Sequence, residues 1–151
     1  MRVLFVCTGN TCRSPMAESL LNARAAARQL PVKAQSAGLQ AWPGEPAARE
    51  AIRAVQHLQG VDLSAHTAQP VQQLDLSEFD WVLAMNKRQR DQLIQHFPDQ
   101  RDQIRTLGEL SGEPDLEVMD PFGLPQAFYD QTAKLLLHLV DAFLDRFDKN
   151  F

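Results

Sequence analysis

The strongest constraint on this chain lies in residues 7–14, Cys-Thr-Gly-Asn-Thr-Cys-Arg-Ser, where five residues separate a cysteine from an arginine. An apolar run at 3–6 precedes this segment, and an Ala/Leu-rich helical pattern begins at Pro15. A strand that ends at a cysteine, followed by a tight loop and a helix N-terminus, predicts a cradle for an anion such as phosphate. Arg13 would supply a planar fork for phosphate oxygens, and the positive field would favour the thiolate form of Cys7.

Short β-prone runs alternate with helical patterns along the rest of the chain. Strands are predicted at 2–6, 32–37, 81–85 and 104–107, and helices at 15–30, 46–58, 87–97 and about 125–147. This alternation predicts an α/β fold with a parallel sheet covered by helices on both faces. We expect one domain over 1–151, with Cys7 at the edge where the strands end and where such sheets bind ligands.

The last predicted helix carries an apolar stripe with helical spacing, which we interpret as core packing. Its members are Phe128, Thr132, Leu136, Leu139, Val140, Phe143 and Phe147. Two Gly/Pro-rich loops, at 38–46 and 108–125, are long enough that a functional or mobile role is expected.

Composition excludes several classes of function. The net charge of -4 argues against general nucleic-acid binding, so an anionic substrate must be attracted locally. No apolar run reaches the roughly 20 residues of a membrane span, and no secretory signal is recognised. The two cysteines, Cys7 and Cys12, flank one loop rather than forming a secreted disulfide framework, so a reducing cytoplasm is expected. The four histidines lack metal-ligand spacing, so neither a metal nor a cofactor is predicted.

Within the segment, several residue types suit the cradle. Gly9 and Asn10 tolerate the positive φ that inward-pointing amides can require. Ser14 fits two roles, an N-cap or a hydroxyl that donates to the Cys7 sulfur. Cys7 alone would fit a small buried apolar residue, but its spacing from Arg13 favours a nucleophile.

Residues 6–18, Val-Cys-Thr-Gly-Asn-Thr-Cys-Arg-Ser-Pro-Met-Ala-Glu, resemble the signature of the low-molecular-weight protein tyrosine phosphatases. The resemblance spans nearly the whole chain and implies a four-stranded parallel sheet flanked by helices. It implies that Trp42 forms an aromatic wall of the pocket, and that His66 helps to hold the loop together with Asn10 and Ser36. It also implies a set of substrate-binding residues: Thr8, Gly9, Asn10, Thr11, Cys12, Ser14, Trp42 and Phe122.

A general acid is expected as well, because a phosphate ester or amide leaves poorly unless the leaving group is protonated. Asp120, followed by Pro121, lies in the second long loop, with Asp115 and Glu117 nearby. The resemblance selects Asp120, which would then deprotonate the water that attacks a phosphocysteine.

Residue 11 bears on which phosphate is cleaved. The tyrosine-specific branch usually has isoleucine there, whereas this chain has Thr11 and is most similar to the bacterial protein arginine phosphatases. They share its Thr-Gly-Asn-Thr at 8–11 and Asp-Pro-Phe-Gly at 120–123. The single aromatic Phe122 after the acid also favours phosphoarginine over phosphotyrosine, which stays the alternative. Leu124 departs from the small residue expected there and leaves the path of this loop open.

Other classes fit less well. A thiol-dependent arsenate reductase needs further cysteines, and none follows Cys12. A cysteine phosphocarrier or a non-catalytic phosphate-binding module has no need of Asp120. Proximity suggests that oxidation joins Cys7 and Cys12 in a reversible disulfide. We therefore expect a monomeric phosphatase that acts on phosphorylated proteins without binding nucleic acid or membranes.

Overall fold

Four parallel strands form one sheet in the order β2-β1-β3-β4. The structure is a computed structural model that describes residues 1–148. The strands are β1 (Arg2–Cys7), β2 (Lys33–Gly38), β3 (Trp81–Ala84) and β4 (Ile104–Thr106). β1 is central, and its end at Cys7 is in register with Gly38 of β2. The parallel α/β architecture expected from the alternating pattern is therefore confirmed.

Helices cover both faces of this sheet. They are α1 (Arg13–Ala27), α2 (Arg49–Gln59), α3 (Lys87–His96), α4 (Leu107–Leu110) and α5 (Gln126–Asp148). α5 packs against α1, α2 and α4 on one side, and α3 packs against β3 and β4 on the other. Within residues 1–148, no helix combines the length and the apolar character that crossing a membrane requires.

The alternation of β1 side chains divides the core in two. Val3, Phe5 and Cys7 belong to the buried cluster on the α1 and α5 side, whereas Leu4 and Val6 belong to the cluster on the α3 side. Successive side chains of a strand point to opposite faces, so a central strand with apolar residues on both faces is buried on both. This alternation directs the Cys7 side chain toward the start of α1.

Most element boundaries differ from the predicted ones by one to three residues. α1 begins at Arg13 rather than Pro15, because a proline in the first helical turn needs no hydrogen-bonded N–H. Part of the predicted loop 108–125 is wrong, since α4 forms there with a capping box between Thr106 and Glu109. The predicted domain extended to 151, and its last three residues lie outside the described part.

The predicted core stripe of α5 is wrong at its N-terminal end. Phe128 is 46% exposed, and Thr132 is half-buried. Tyr129 and Ala133, one position further along, are buried instead. The helical period is therefore right, but the first turns of α5 are rotated by one residue so that Tyr129 reaches the loop after β1.

Candidate active site

Residues 7–14, here called the cradle loop, turn their carbonyl groups outward. The carbonyls of Cys7, Thr8, Asn10, Thr11 and Cys12 accept hydrogen bonds of 2.8–3.1 Å from Leu39 N, Gln40 N, His66 Nε2, Ala48 N and Met16 N. The backbone N–H groups of residues 9–12 donate to no acceptor within 1–148. Buried backbone donors are nearly always paired, so a loop with satisfied carbonyls and free amides is a site for an anion.

Asn10 holds the turn of the cradle loop. Its φ of 58° is in the left-handed region, which asparagine tolerates better than most residues. Its fully buried amide donates to Ser14 Oγ at 2.8 Å and to Ser36 Oγ at 2.9 Å, and its Oδ1 accepts from Gln69 N at 2.9 Å. His66 donates from Nε2 to the Asn10 carbonyl at 2.8 Å. The Asn10 side chain thus links the loop to two distant segments.

A short hydrogen-bond relay reaches the sulfur of Cys7. Ser14 Oγ lies 2.9 Å from Cys7 Sγ and also accepts from the Asn10 amide. Because Asn10 uses an acceptor site of the hydroxyl, the hydroxyl proton is free to point at sulfur. Within residues 1–148, its one other acceptor is the Ala37 carbonyl, which is distant at 3.4 Å. A donor aimed at sulfur stabilises a thiolate.

The Arg13 guanidinium lies in the lining of the same site as the loop amides. Its side chain is 4% exposed, and Nη1 donates to the Val118 carbonyl at 3.0 Å. Nε is buried without a hydrogen-bond partner in the described structure. An unpaired buried donor costs about 1–3 kcal/mol, and a phosphate oxygen in the cradle would supply the missing acceptor.

The second long loop places one carboxylate over this site. Asp120 Oδ2 lies 3.7 Å from Arg13 Nη2, and Oδ1 accepts from the Phe122 amide at 3.1 Å. The neighbouring acids are directed elsewhere. Asp115 pairs with Lys87 Nζ at 3.6 Å, and Glu117 accepts from the Lys87 backbone amide at 2.6 Å. The structure therefore leaves Asp120 as the acid of this loop that faces the cradle.

These groups surround a cavity of about 270 Å³, here called the cradle cavity. Trp42 and Phe122, 76% and 71% exposed, form its aromatic rim. Its lining includes nine of the predicted site residues: Cys7, Thr8, Gly9, Thr11, Cys12, Arg13, Trp42, Asp120 and Phe122.

The other predicted residues lie behind the loop. Asn10 and Ser14 were expected to bind substrate, but both side chains are fully buried and line no part of the cradle cavity, which leaves only the backbone N–H of Asn10 for substrate. Their side chains point away because the carbonyl-out geometry turns them toward the fold. Ser14 is placed for the other role expected of it, with its hydroxyl 2.9 Å from the Cys7 sulfur. Ser36 and His66 support the loop through Asn10, as the resemblance implied. Gly9 does not adopt the positive φ that was considered for it, and Asn10 alone supplies it in this loop.

Three residues of the site escaped the sequence analysis, and the reason for a glycine at residue 38 was not predicted. Gln40 and Glu45 line the cradle cavity from the first long loop, where the length of the loop was the only signal. Gln89 donates from Nε2 to Thr8 Oγ1 at 3.2 Å, and no sequence pattern predicted this contact. Gly38 is required by close packing, since a Cβ there would lie 2.6 Å from the Thr8 carbonyl oxygen.

Burial changes the titration of groups around the loop. It raises the pKa of Cys12, whose Sγ lies 3.6 Å from the hydroxyl of the buried Tyr129, and it raises the pKa of that Tyr129 hydroxyl. Cys12 therefore stays a neutral thiol at neutral pH. Burial also raises the pKa of Glu18, which faces Ser36 and His66. Residues 1–148 contain no group of three His, Cys, Asp or Glu side chains that could hold a metal ion.

The sequence is similar to a known protein family over almost its whole length. The model of the family described as low molecular weight phosphotyrosine protein phosphatase matches residues 2–151. A protein-arginine-phosphatase of Geobacillus stearothermophilus is 38% identical over 149 residues, 96% of this chain and 95% of the relative.

Two solved structures superpose closely. The low molecular weight protein tyrosine phosphatase from T. tengcongensis has a TM-score of 0.91 and 42% identity, over 96% of this chain and 98% of that chain. The YwlE arginine phosphatase has a TM-score of 0.94 and 34% identity, over 99% of this chain and 97% of that chain. In that YwlE structure a serine replaces the active-site cysteine and is phosphorylated.

Proposed function

The chain belongs to the low molecular weight phosphotyrosine protein phosphatase family, and we propose that its substrate is phosphoarginine in proteins. The observation that carries this choice is Thr11 in the wall of the cradle cavity. Its hydroxyl makes only a long contact of 3.7 Å, with Cys12 Sγ, among the described residues. It is therefore available to accept from a guanidinium N–H, which an isoleucine in that position could not do.

In the first proposed step, Cys7 attacks phosphorus and forms a phosphocysteine. The amides of residues 9–12 and the Arg13 guanidinium hold the phosphoryl oxygens. One of these oxygens gives Arg13 Nε the hydrogen-bond acceptor that it lacks in the free site. The bond between phosphorus and the guanidinium nitrogen breaks as Asp120 protonates that nitrogen. The arginine side chain leaves, and Asp120 is left as the carboxylate.

In the second proposed step, water hydrolyses the phosphocysteine. Asp120 takes a proton from the water, whose oxygen attacks phosphorus as the bond to sulfur breaks. The Ser14 hydroxyl, 2.9 Å from Sγ, stabilises the departing thiolate of Cys7. Phosphate leaves, and Asp120 is again protonated for the next cycle. A covalent phosphoryl group on the nucleophile is supported by the phosphorylated serine in the YwlE structure.

A protein tyrosine phosphatase is the second candidate, and the aromatic rim favours it. Trp42 and Phe122 both border the cradle cavity and expose most of their surface, so a phenyl ring could pack between them. The same faces also suit a planar guanidinium, which stacks on aromatic rings. The rim therefore accepts either substrate, and the choice depends on Thr11.

The test compares phosphoarginine and phosphotyrosine peptides with identical flanking residues. We expect the wild type to hydrolyse phosphoarginine with the higher kcat/KM, and Thr11→Ile to lower that preference about tenfold, as loss of one hydrogen bond to a charged group predicts. Thr132→Ile, at a half-buried position of α5 outside the cradle cavity, is the matched control and should leave the preference unchanged. Equal preference in wild type and Thr11→Ile would overturn the proposal, and substantial turnover by Cys7→Ser would overturn the covalent mechanism.

The remaining features of the protein are also proposals. We propose that residues 1–151 form one catalytic domain that acts as a monomer in the cytoplasm on phosphorylated proteins. The two buried clusters on opposite faces of a single sheet support one folding unit. Two thiols close to a site that depends on a thiolate suit a reducing compartment.

A further inference from the structure

Glu45 is a carboxylate in a cavity built for an anion. It lines the cradle cavity together with Asp120, and it forms no ion pair with any residue of 1–148. Arg13 is the only cationic side chain in the same lining. A carboxylate beside an incoming phosphoryl group repels it, so Glu45 weakens binding unless the substrate also carries a positive charge.

The backbone around Glu45 is fixed relative to the cradle loop. The Glu45 carbonyl accepts from Ala68 N at 2.7 Å, and the Ala68 carbonyl accepts from Gly44 N at 2.9 Å. On the other side, Ala48 N donates to the Thr11 carbonyl at 2.9 Å. Glu45 therefore does not sit on a free loop, because its segment is anchored to the same framework that shapes the cradle.

The charges of the cavity are separated by depth. Arg13 is 4% exposed and lies at the floor with the loop amides, whereas Glu45 and Asp120 are exposed at the mouth. Phosphoarginine has the matching order, since its phosphoryl end is anionic and its guanidinium carries a delocalised positive charge. Phosphotyrosine presents a neutral ring at the mouth, so Glu45 has no positive charge on that substrate to attract.

We propose that Glu45 is a specificity-determining residue that selects phosphorylated guanidinium groups over phosphorylated phenols by charge. The inference rests on the proposed function and deepens it. Thr11 offers a hydrogen-bond acceptor to the guanidinium, and Glu45 offers the opposite charge from the facing loop. Glu45 takes no part in bond breaking, so its removal alters discrimination rather than the chemical steps.

The experiment measures kcat/KM of Glu45→Gln and Glu45→Lys on matched phosphoarginine and phosphotyrosine peptides. We expect Glu45→Gln to lower the value for phosphoarginine about three- to tenfold and to leave phosphotyrosine unchanged or improved. Glu45→Lys should lower kcat/KM for phosphoarginine further and raise kcat/KM for phosphotyrosine further. Asp99→Asn is the control of equal charge change, since Asp99 is exposed in the segment Pro98–Gln103 that precedes β4, at the opposite edge of the sheet.

The salt dependence of the loss distinguishes an effect of the Glu45 charge from an effect of the Glu45 shape. Raising the ionic strength from about 0.05 to 0.5 M shortens the Debye length, so the selective loss in Glu45→Gln should shrink. Equal loss on both substrates, loss on neither, or a selective loss that salt does not change would overturn the inference. A wild type that prefers phosphoarginine while Glu45→Gln shows an undiminished preference overturns the inference alone. A wild type that does not hydrolyse phosphoarginine overturns both the inference and the proposed function.

Discussion

Replacing Asn10 by alanine should destabilise the protein strongly. The substitution removes three buried side-chain hydrogen bonds, to Ser14, Ser36 and Gln69. At about 1 kcal/mol net for each, that loss is about 3 kcal/mol. Alanine at a φ of 58° adds about 1–2 kcal/mol, because its Cβ crowds the following carbonyl oxygen. The expected total of about 4–5 kcal/mol is a large part of the stability of a domain of this size.

Denaturant unfolding of Asn10→Ala and Asn10→Gly divides this total into its two causes. Glycine adopts the positive φ without strain, so Asn10→Gly should avoid the backbone strain and lose only the hydrogen bonds, at a cost of about 3 kcal/mol. Ser36→Ala, which removes one of the three hydrogen bonds, should cost about 1 kcal/mol. A glycine variant less stable than the alanine variant would refute the account of the backbone. A loss below about 1 kcal/mol in Asn10→Ala would refute the account of the hydrogen bonds.

Other perturbations test separate parts of the structure. Gly38→Ala should lower the free energy of unfolding by about 1–3 kcal/mol, as overpacking does, and an unchanged denaturation midpoint would contradict the close approach. Asp120→Asn should slow single-turnover phosphoryl transfer about 10²–10⁴-fold, with competition by inorganic phosphate nearly intact; lost competition would instead indicate a structural role. Burial raises the pKa of Tyr129, so the native state keeps a proton that the unfolded chain loses, and stability should fall as pH rises past about 10. Tyr129→Phe should flatten that decline in pH-dependent unfolding, and an equal slope would count against it. Hydrogen peroxide should oxidise Cys7 to a sulfenic acid that Cys12 converts to a disulfide with loss of water, so a thiol reductant should restore the activity of the wild type. In Cys12→Ser a second equivalent of peroxide should carry the sulfenic acid on to a sulfinic acid, which thiols do not reduce, so full recovery of that variant would contradict the disulfide.

The cradle loop could be predicted from sequence because its information is local. A strand, five intervening residues and a helix start are adjacent in the chain, and the spacing of Cys7 and Arg13 fixes their common site. The alternation of apolar runs likewise predicted the parallel sheet, since each run needs two covered faces. What failed was the direction of individual side chains. Asn10 and Ser14 were predicted to bind substrate, but the structure turns both side chains into the fold, so that Asn10 can reach substrate only through its backbone N–H.

The partners of the loop could not be predicted from local pattern, because they come from segments far away in the chain, and only the resemblance pointed to His66. His66 and Gln89 meet the loop through hydrogen bonds over sequence separations of 56 and 81 residues. Neither residue is distinguished by hydrophobic period or by local motif. The stripe of α5 failed for a related reason, since Tyr129 is drawn inward by a contact with Cys12, 117 residues away.

The distribution of these contacts separates the chemistry of the site from its selectivity. The groups that would hold the phosphoryl oxygens belong to a loop whose carbonyls are tied down by four other segments, so substitutions there disturb folding and activity together. The groups at the mouth come from the two long loops, where Trp42, Glu45 and Phe122 are exposed and their side chains form no ion pair or hydrogen bond within residues 1–148. Exposed positions of this kind tolerate substitution at little cost in stability. Selectivity beyond the choice set by Thr11 should therefore be adjustable through the mouth while the cradle loop stays unaltered.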